Sequence, residues 1–136
     1  MIENKTKYLN PEGLFDPTPF GFCHSVQLPA HSNLLFISGQ SGGVGESHLL
    51  ADDFFGQAKS ALENLKLVLD ANGSKPENII KITVLIVDHS EEKLKIWTTL
   101  ARDFWQGYNL PTSTLIPVPM LALPGMQIEV DAIAFV

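Results

Sequence analysis

From about Asp52 to Asn72 the apolar residues Phe54, Phe55, Ala58, Ala61, Leu62, Leu65, Val68 and Leu69 recur at helical spacing. That spacing predicts an amphipathic helix with one buried stripe. Asp52 and Asp53 stand at its start, where carboxylates favour the helix dipole, and Gly73 can close its end in the left-handed conformation. A second helix is predicted after Asp88, running to about Tyr108, with Leu94, Trp97, Ala101, Phe104 or Trp105, and Tyr108 on one side. Asp88 followed by Glu91 resembles a capping box, and Ser90 is a rival cap. Phe104, Trp105 and Tyr108 read as core aromatics rather than a binding box.

The remaining segments have a shorter period. Leu34 to Ser38 is a nearly continuous apolar run, as in a buried strand. Ile79 to Val87 is rich in β-branched residues and reads as another. Two more strands are expected near Ser113 to Val118 and Gln127 to Phe135. Pro117 and Pro119 cannot donate ladder hydrogen bonds, so the first of these is an edge strand or bent. The first twenty residues are rich in turn formers and suggest a short edge strand near Tyr8 followed by a loop. A strand from Gly21 to Leu28, a turn at Pro29 to Asn33 and a flexible glycine-rich loop from Gly39 to Ser47 complete the pattern. The order β-β-β-α-β-α-β-β predicts an α+β sandwich: a mixed sheet with two helices on one face. The other face is left uncovered, and an apolar patch there needs a partner.

The chain of 136 residues is expected to form one domain, residues 1–136. Its hydrophobic content of 45% and charged content of 18% are globular rather than disordered. No apolar run approaches the roughly 20 residues that span a bilayer. The first ten residues have no apolar core of a secretory signal. The single cysteine, Cys23, excludes an internal disulfide framework and fits a reducing, cytoplasmic compartment. A formal charge of -6 argues against nucleic-acid binding, which needs a cationic surface. His31, His48 and His89 are scattered and give no metal-ligand spacing, and no cofactor is implied. The glycine-rich loop fails the P-loop pattern: Gln40 replaces its first glycine, and Glu46 replaces the lysine that would meet phosphate.

The closing segment reads PTSTLIPVPMLALPGMQIEVDAIAFV. It resembles the signature of the YjgF/Rid family, the reactive-intermediate (enamine/imine) deaminases, whose labels have also included endoribonuclease L-PSP. That family typically has a Pro-x-Arg-Ser/Thr strand, a Leu-Pro-type turn and a Glu-x-Glu-Ala-x-Ala strand. Pro111, Thr112, Thr114 and the run Glu129 to Ala134 keep the pattern. The resemblance extends to Phe22–Val26 (often Tyr-Ser-Gln-Ala-Val), Phe36–Gln40 (Phe-x-Ser-Gly-Gln), Gln57–Leu65 and Ile79–Asp88. It implies a chorismate-mutase-like fold assembled as a homotrimer, with small-molecule clefts between subunits. Three departures stand out: Ser113 replaces the arginine, Phe22 the frequent tyrosine and His24 the glutamine. The chain thus looks like an arginine-lacking member.

In the deaminases the arginine grips a substrate carboxylate and the glutamate positions the water that attacks the C=N carbon. The resemblance places Glu129 as the water-orienting base, or else as a solvated or lysine-paired carboxylate at a sheet end. Ser113 offers only a hydroxyl, a much weaker contact than a bidentate guanidinium. No Ser/His/acid arrangement supports Ser113 as a nucleophile. The sole arginine, Arg102, lies on the preceding helix and is a poor substitute. Phe22 and His24, two apart on an extended segment, share a face. His24 either replaces lost positive charge or is a hydrogen-bonded sheet residue. Cys23 faces the other way, into the core. Backbone groups near Gly39, Gln40 and Leu115 complete the expected ligand contacts. Two functions remain open: hydrolysis of a small imine or enamine, with ordinary 2-imino acid deaminase activity weak or absent, and a non-catalytic ligand-binding or protein-interaction trimer.

Overall fold

The computed structural model of the chain describes residues 5–136. Its strands are β1 (Lys7–Leu9), β2 (Ser25–Gln27), β3 (Leu34–Ser41), β4 (Ile79–Val87), β5 (Thr112–Val118) and β6 (Ile128–Phe135). The helices are α1 (Phe54–Ala71) and α2 (Glu91–Phe104). Four strands form a mixed sheet in the order β3-β6-β4-β5. β6 runs antiparallel to both neighbours, while β4 and β5 are parallel and joined through α2. β5 lies at the sheet edge, where Pro117 needs no second partner strand.

Alternation divides the sheet into two faces. Ile128, Val130, Ala132 and Ala134 of β6 are buried, as are Ile82, Val84 and Ile86 of β4. They form one core cluster with Ala58, Ala61, Leu62, Leu65 and Leu69 of α1 and Trp97 and Ala101 of α2. The opposite face carries no helix. On it Phe36 is 70% exposed, Leu34 47% and Ile116 43%. The two-layer α+β arrangement expected from the sequence is the one found.

Local chemistry sets the ends. The Asp53 side chain accepts from the Gly56 N–H at the start of α1, and Gly73 follows it with φ +69°. At α2 Ser90, not Asp88, is the cap, accepting from Lys93 N–H at 3.1 Å. α2 stops at Phe104, short of Tyr108, because the Trp105 indole turns to donate to the Pro76 carbonyl at 2.9 Å and Gly107 takes φ +81°. Trp105 is core, whereas Tyr108 is 49% exposed. The strand expected over Gly21 to Leu28 shrinks to β2, which pairs only with β1. Gly21 takes φ +81°, and the His24 N–H donates to the Asn10 side chain instead of a ladder partner. Cys23 is a lone parallel bridge to Thr112 and ties this hairpin to the main sheet.

Gln57 is 1% exposed and is the polar link across the core edge. Its amide donates to the carbonyls of Ala51 and Gly125, and its oxygen accepts the Gln127 N–H at 2.8 Å. Gln57→Leu keeps the volume but strands those three groups, each costing about 1–3 kcal/mol when buried. Urea unfolding should show a loss of roughly 2–4 kcal/mol; a loss below about 0.5 kcal/mol would show that Gln57 contributes volume alone.

Candidate functional site

Two groups of residues emerge on opposite faces of the sheet. The first surrounds a cavity of about 240 Å³ beside α2. Ser113 and Leu115 of β5 form its floor, since Ser113 pairs with Ile82 and Leu115 with Val84, both on the helix-covered face. Leu94, Trp97 and Thr98 of α2 form one wall, and Phe15, Phe20 and Phe22 the other. The Ser113 hydroxyl makes no hydrogen bond among the described residues, and no basic side chain lines this cavity.

Phe15 and Phe20 were not singled out in the sequence, where they fall in a proline-rich loop. A signal was present: loops seldom carry three phenylalanines that no helix or strand needs. Their positions have identifiable causes. Asp16 accepts from the N–H and hydroxyl of Thr18, setting the 3-10 turn Thr18–Phe20; these bonds hold its carboxyl below the usual range. His24 Nε2 lies 2.9 Å from the Phe15 carbonyl and, as a donor, clasps that loop. The His24 ring packs edge-on against Phe15 (5.1 Å) and Phe22 (5.9 Å). His24 therefore stands behind the cavity wall, holding Phe15, and is not among the residues that line the cavity. Cys23 is buried, and burial pushes its thiol above the usual value, away from thiolate reactivity.

The second group lies across the sheet. Ala132 is level with Ser113 through Ile82, and Glu129 is three residues earlier on β6, so Glu129 faces the uncovered side. It is half-buried and has no ion pair among the described residues. Its side chain lies over Gly39: a Cβ there would overlap Oε1 and fall 2.6 Å from Cδ and 2.8 Å from Cγ. A register shift in β3 between Ile37 and Gln40 brings Gly39 to this place. Gln40 turns to the helix side, level with Val130.

The glycine-rich segment is a loop only beyond Ser41. β3 continues through Ser41, and the Asn64 amide donates to the carbonyls of Ser41 and Gly43 at 2.9 and 2.7 Å. Gly42 lies against α1, where a Cβ would meet Gln57 Cα at 2.6 Å. Sequence spacing also missed a Ser41–His48 hydrogen bond of 2.6 Å. Glycine at position 43 leaves room for that imidazole.

A single chain therefore does not bring Ser113 and Glu129 together; the sheet separates them. Phe22, Ser113 and Leu115 share one cavity, with His24 behind it, whereas Gly39 and Glu129 meet on the other face. Arg102 lines a neighbouring cleft of about 650 Å³ with Tyr8, Asn10 and Asp16, on the other side of Phe22, which lines both. Among the described residues no cluster of three or more metal-binding side chains occurs, and no helix is long and apolar enough to cross a membrane.

The Gly39–Glu129 contact can be tested by a double-mutant cycle. Gly39→Ala should displace the half-buried Glu129 side chain and cost about 1 kcal/mol, at the low end of overpacking. In the Glu129→Ala background most of that cost should vanish, because the obstructing atoms are gone. Equal costs in both backgrounds would show that the carboxylate does not occupy this position.

The Endoribonuclease L-PSP family model matches residues 20–136. The chain is 33% identical to the 2-iminobutanoate/2-iminopropanoate deaminase of Mus musculus over 115 residues, covering 83% of this chain and 79% of that one. It is 32% identical to a RutC family protein of Pyrococcus horikoshii over 122 residues, or 88% and 90% of the two chains. A crystal structure of a Rid family protein of unknown function from Yersinia pestis superposes with a TM-score of 0.90 at 30% identity, over 96% and 98% of the two chains. With the two-layer fold and the closing strand pair in place, the family model and these relatives show that this chain belongs to the YjgF/Rid (endoribonuclease L-PSP) family.

Proposed function

We propose that this protein is an arginine-lacking Rid-type hydrolase of small, uncharged imines or enamines, with its site assembled between copies of the chain in a homotrimer. The placement of Ser113 and Glu129 on opposite faces of one sheet carries this reading. No side-chain motion takes Glu129 through its own sheet, but the uncovered face of a second copy can present Glu129 and Gly39 to the Ser113 cavity. The exposed Phe36, Leu34 and Ile116 on that face supply the apolar area such a contact would bury.

The chemistry follows from the groups. Glu129, without an ion pair among the described residues, accepts a proton from water as the oxygen attacks the C=N carbon. Glu129 passes that proton to the nitrogen, giving a carbinolamine; it then carries the proton of the carbinolamine hydroxyl to the amine, and ammonia leaves as the carbonyl forms. The Ser113 hydroxyl donates to a neutral oxygen or nitrogen of the substrate. A carboxylate would enter a cavity with no cation and lose much of its hydration, so 2-imino acids are poor substrates. The loss of the arginine also favours a second reading, a non-catalytic ligand-binding trimer. Glu129→Gln separates the two: a hydrolase loses turnover, and a binding protein keeps its ligand with no turnover to lose.

Decay of 2-iminobutyrate should be accelerated at least about a hundredfold less than by arginine-bearing relatives. A comparable rate would overturn the assignment of Ser113. In solution the protein should have three times the chain mass of 14.9 kDa. Phe36→Asp should shift it to monomer and abolish turnover of an imine made in situ from benzylamine, dioxygen and an amine oxidase. Mixing and reassembling Glu129→Gln with Ser113→Trp should restore roughly a quarter of wild-type turnover, the share of sites whose two intact halves come from different chains. No recovery on verified mixing would defeat the shared site.

A further inference from the structure

We infer that the Ser113 cavity is a receptor for an uncharged aromatic group, so that the ligand is a monocyclic aromatic compound with one neutral hydrogen-bonding function. The inference deepens the proposed function and rests on its reading of this cavity as the ligand half of the cleft. Size comes first. A dry, aliphatic- and aromatic-lined cavity of about 150 Å³ accommodates benzene. The 240 Å³ here leaves room for a ring plus a short polar substituent.

The wall chemistry points the same way. Phe15 stands edge-on to Phe20 (6.1 Å, 85°) and to Phe22 (6.1 Å, 68°). Across from them lies Trp97. The perpendicular Phe15–Phe20 and Phe15–Phe22 pairs combine ring faces and edges, the arrangement in which aromatic rings attract beyond simple area burial. Phe15 is 60% exposed and Phe20 46% exposed, unusual for rings held in place by the His24 clasp and the Asp16 cap. An aromatic guest would cover them.

The polar inventory limits the guest to a neutral one. Two hydroxyls are present, Ser113 and Thr98. Thr98 donates to the Lys95 carbonyl within its own helix, which leaves it as an acceptor. Ser113 is uncommitted and can donate to a carbonyl oxygen or an imine nitrogen. An anion would find one hydroxyl and no cation. Arg102 lines the neighbouring cleft beyond Phe22 and not this cavity, and the two lysines of α2, Lys93 and Lys95, are not among the lining residues either. Lys93 is already donating to the Val87 carbonyl at 2.7 Å and sits over the Phe54 ring.

The test uses benzamide and benzoate, near-isosteres that differ in charge, titrated into the assembled protein by calorimetry and tryptophan fluorescence. Benzamide should bind saturably, and benzoate at least about tenfold more weakly. Phe20→Ala, at an exposed position, should weaken benzamide about fivefold or more with unchanged thermal unfolding. Ser113→Arg should reverse the order of the two ligands. Benzoate binding as well as benzamide, no saturable benzamide binding, or indifference to Phe20→Ala would each overturn the inference. Failure of the hydrolase reading is distinguishable: turnover of neutral imines would be absent while the benzamide preference persisted.

Discussion

Along β6, successive side chains point to opposite sides of the sheet, and the middle of the molecule is organised around that alternation. Ile128, Val130, Ala132 and Ala134 anchor the core beneath both helices. Their neighbours Glu129, Asp131 and Ile133 are thereby committed to the other face. The same period acts on β5, where Ser113 and Leu115 join the helix side. A strand cannot slip by one residue without exposing its whole apolar set. The positions of the carboxylate and the hydroxyl are therefore fixed by the cost of disrupting the core, and their separation is a property of the fold rather than of a rotamer.

That separation gives the uncovered face its importance. A sheet with helices on one side leaves apolar residues such as Phe36 and Leu34 in water, and oligomerisation is the general physical remedy. When an interface covers that face, it also covers Glu129 and the glycine it rests on. Assembly and chemistry then depend on the same surface. Gly39 contributes by what it lacks: with no Cβ, it lets the carboxylate lie flat against β3. Two further glycines of the segment serve packing, Gly42 against α1 and Gly43 beneath His48, whereas Gly45 takes φ +69° in open space.

On the proposed reading, Ser113 in place of an arginine changes the meaning of the cavity beside α2. With a guanidinium, aromatic walls would frame a charged anchor. In the proposed cleft, with Ser113 in that place, they would be the main source of attraction, since a hydroxyl contributes little net energy where it merely exchanges one partner for another. His24, which the sequence offered as a compensating charge, instead holds the backbone of Phe15. Its contribution is to the shape of the wall.

Much of the architecture was legible in the chain. The apolar spacing of α1 and α2, the β-branched run of β4 and the prolines of edge strand β5 are local signals, because side-chain period and ring chemistry act over a few residues. The closing segment identified the family for the same reason: its motif is contiguous. The sequence alone could not place Phe15 and Phe20 in a cavity wall or pair Ser41 with His48. It also left open whether His24 reached a ligand or a carbonyl. These outcomes depend on which distant segments meet, and on backbone details such as the register shift in β3 and the left-handed residues at Gly21 and His48. The sequence determined the elements and their order, because these follow from short-range periodicity. Only the tertiary structure decided which face each functional group occupies, because that depends on how the core is buried across the whole sheet.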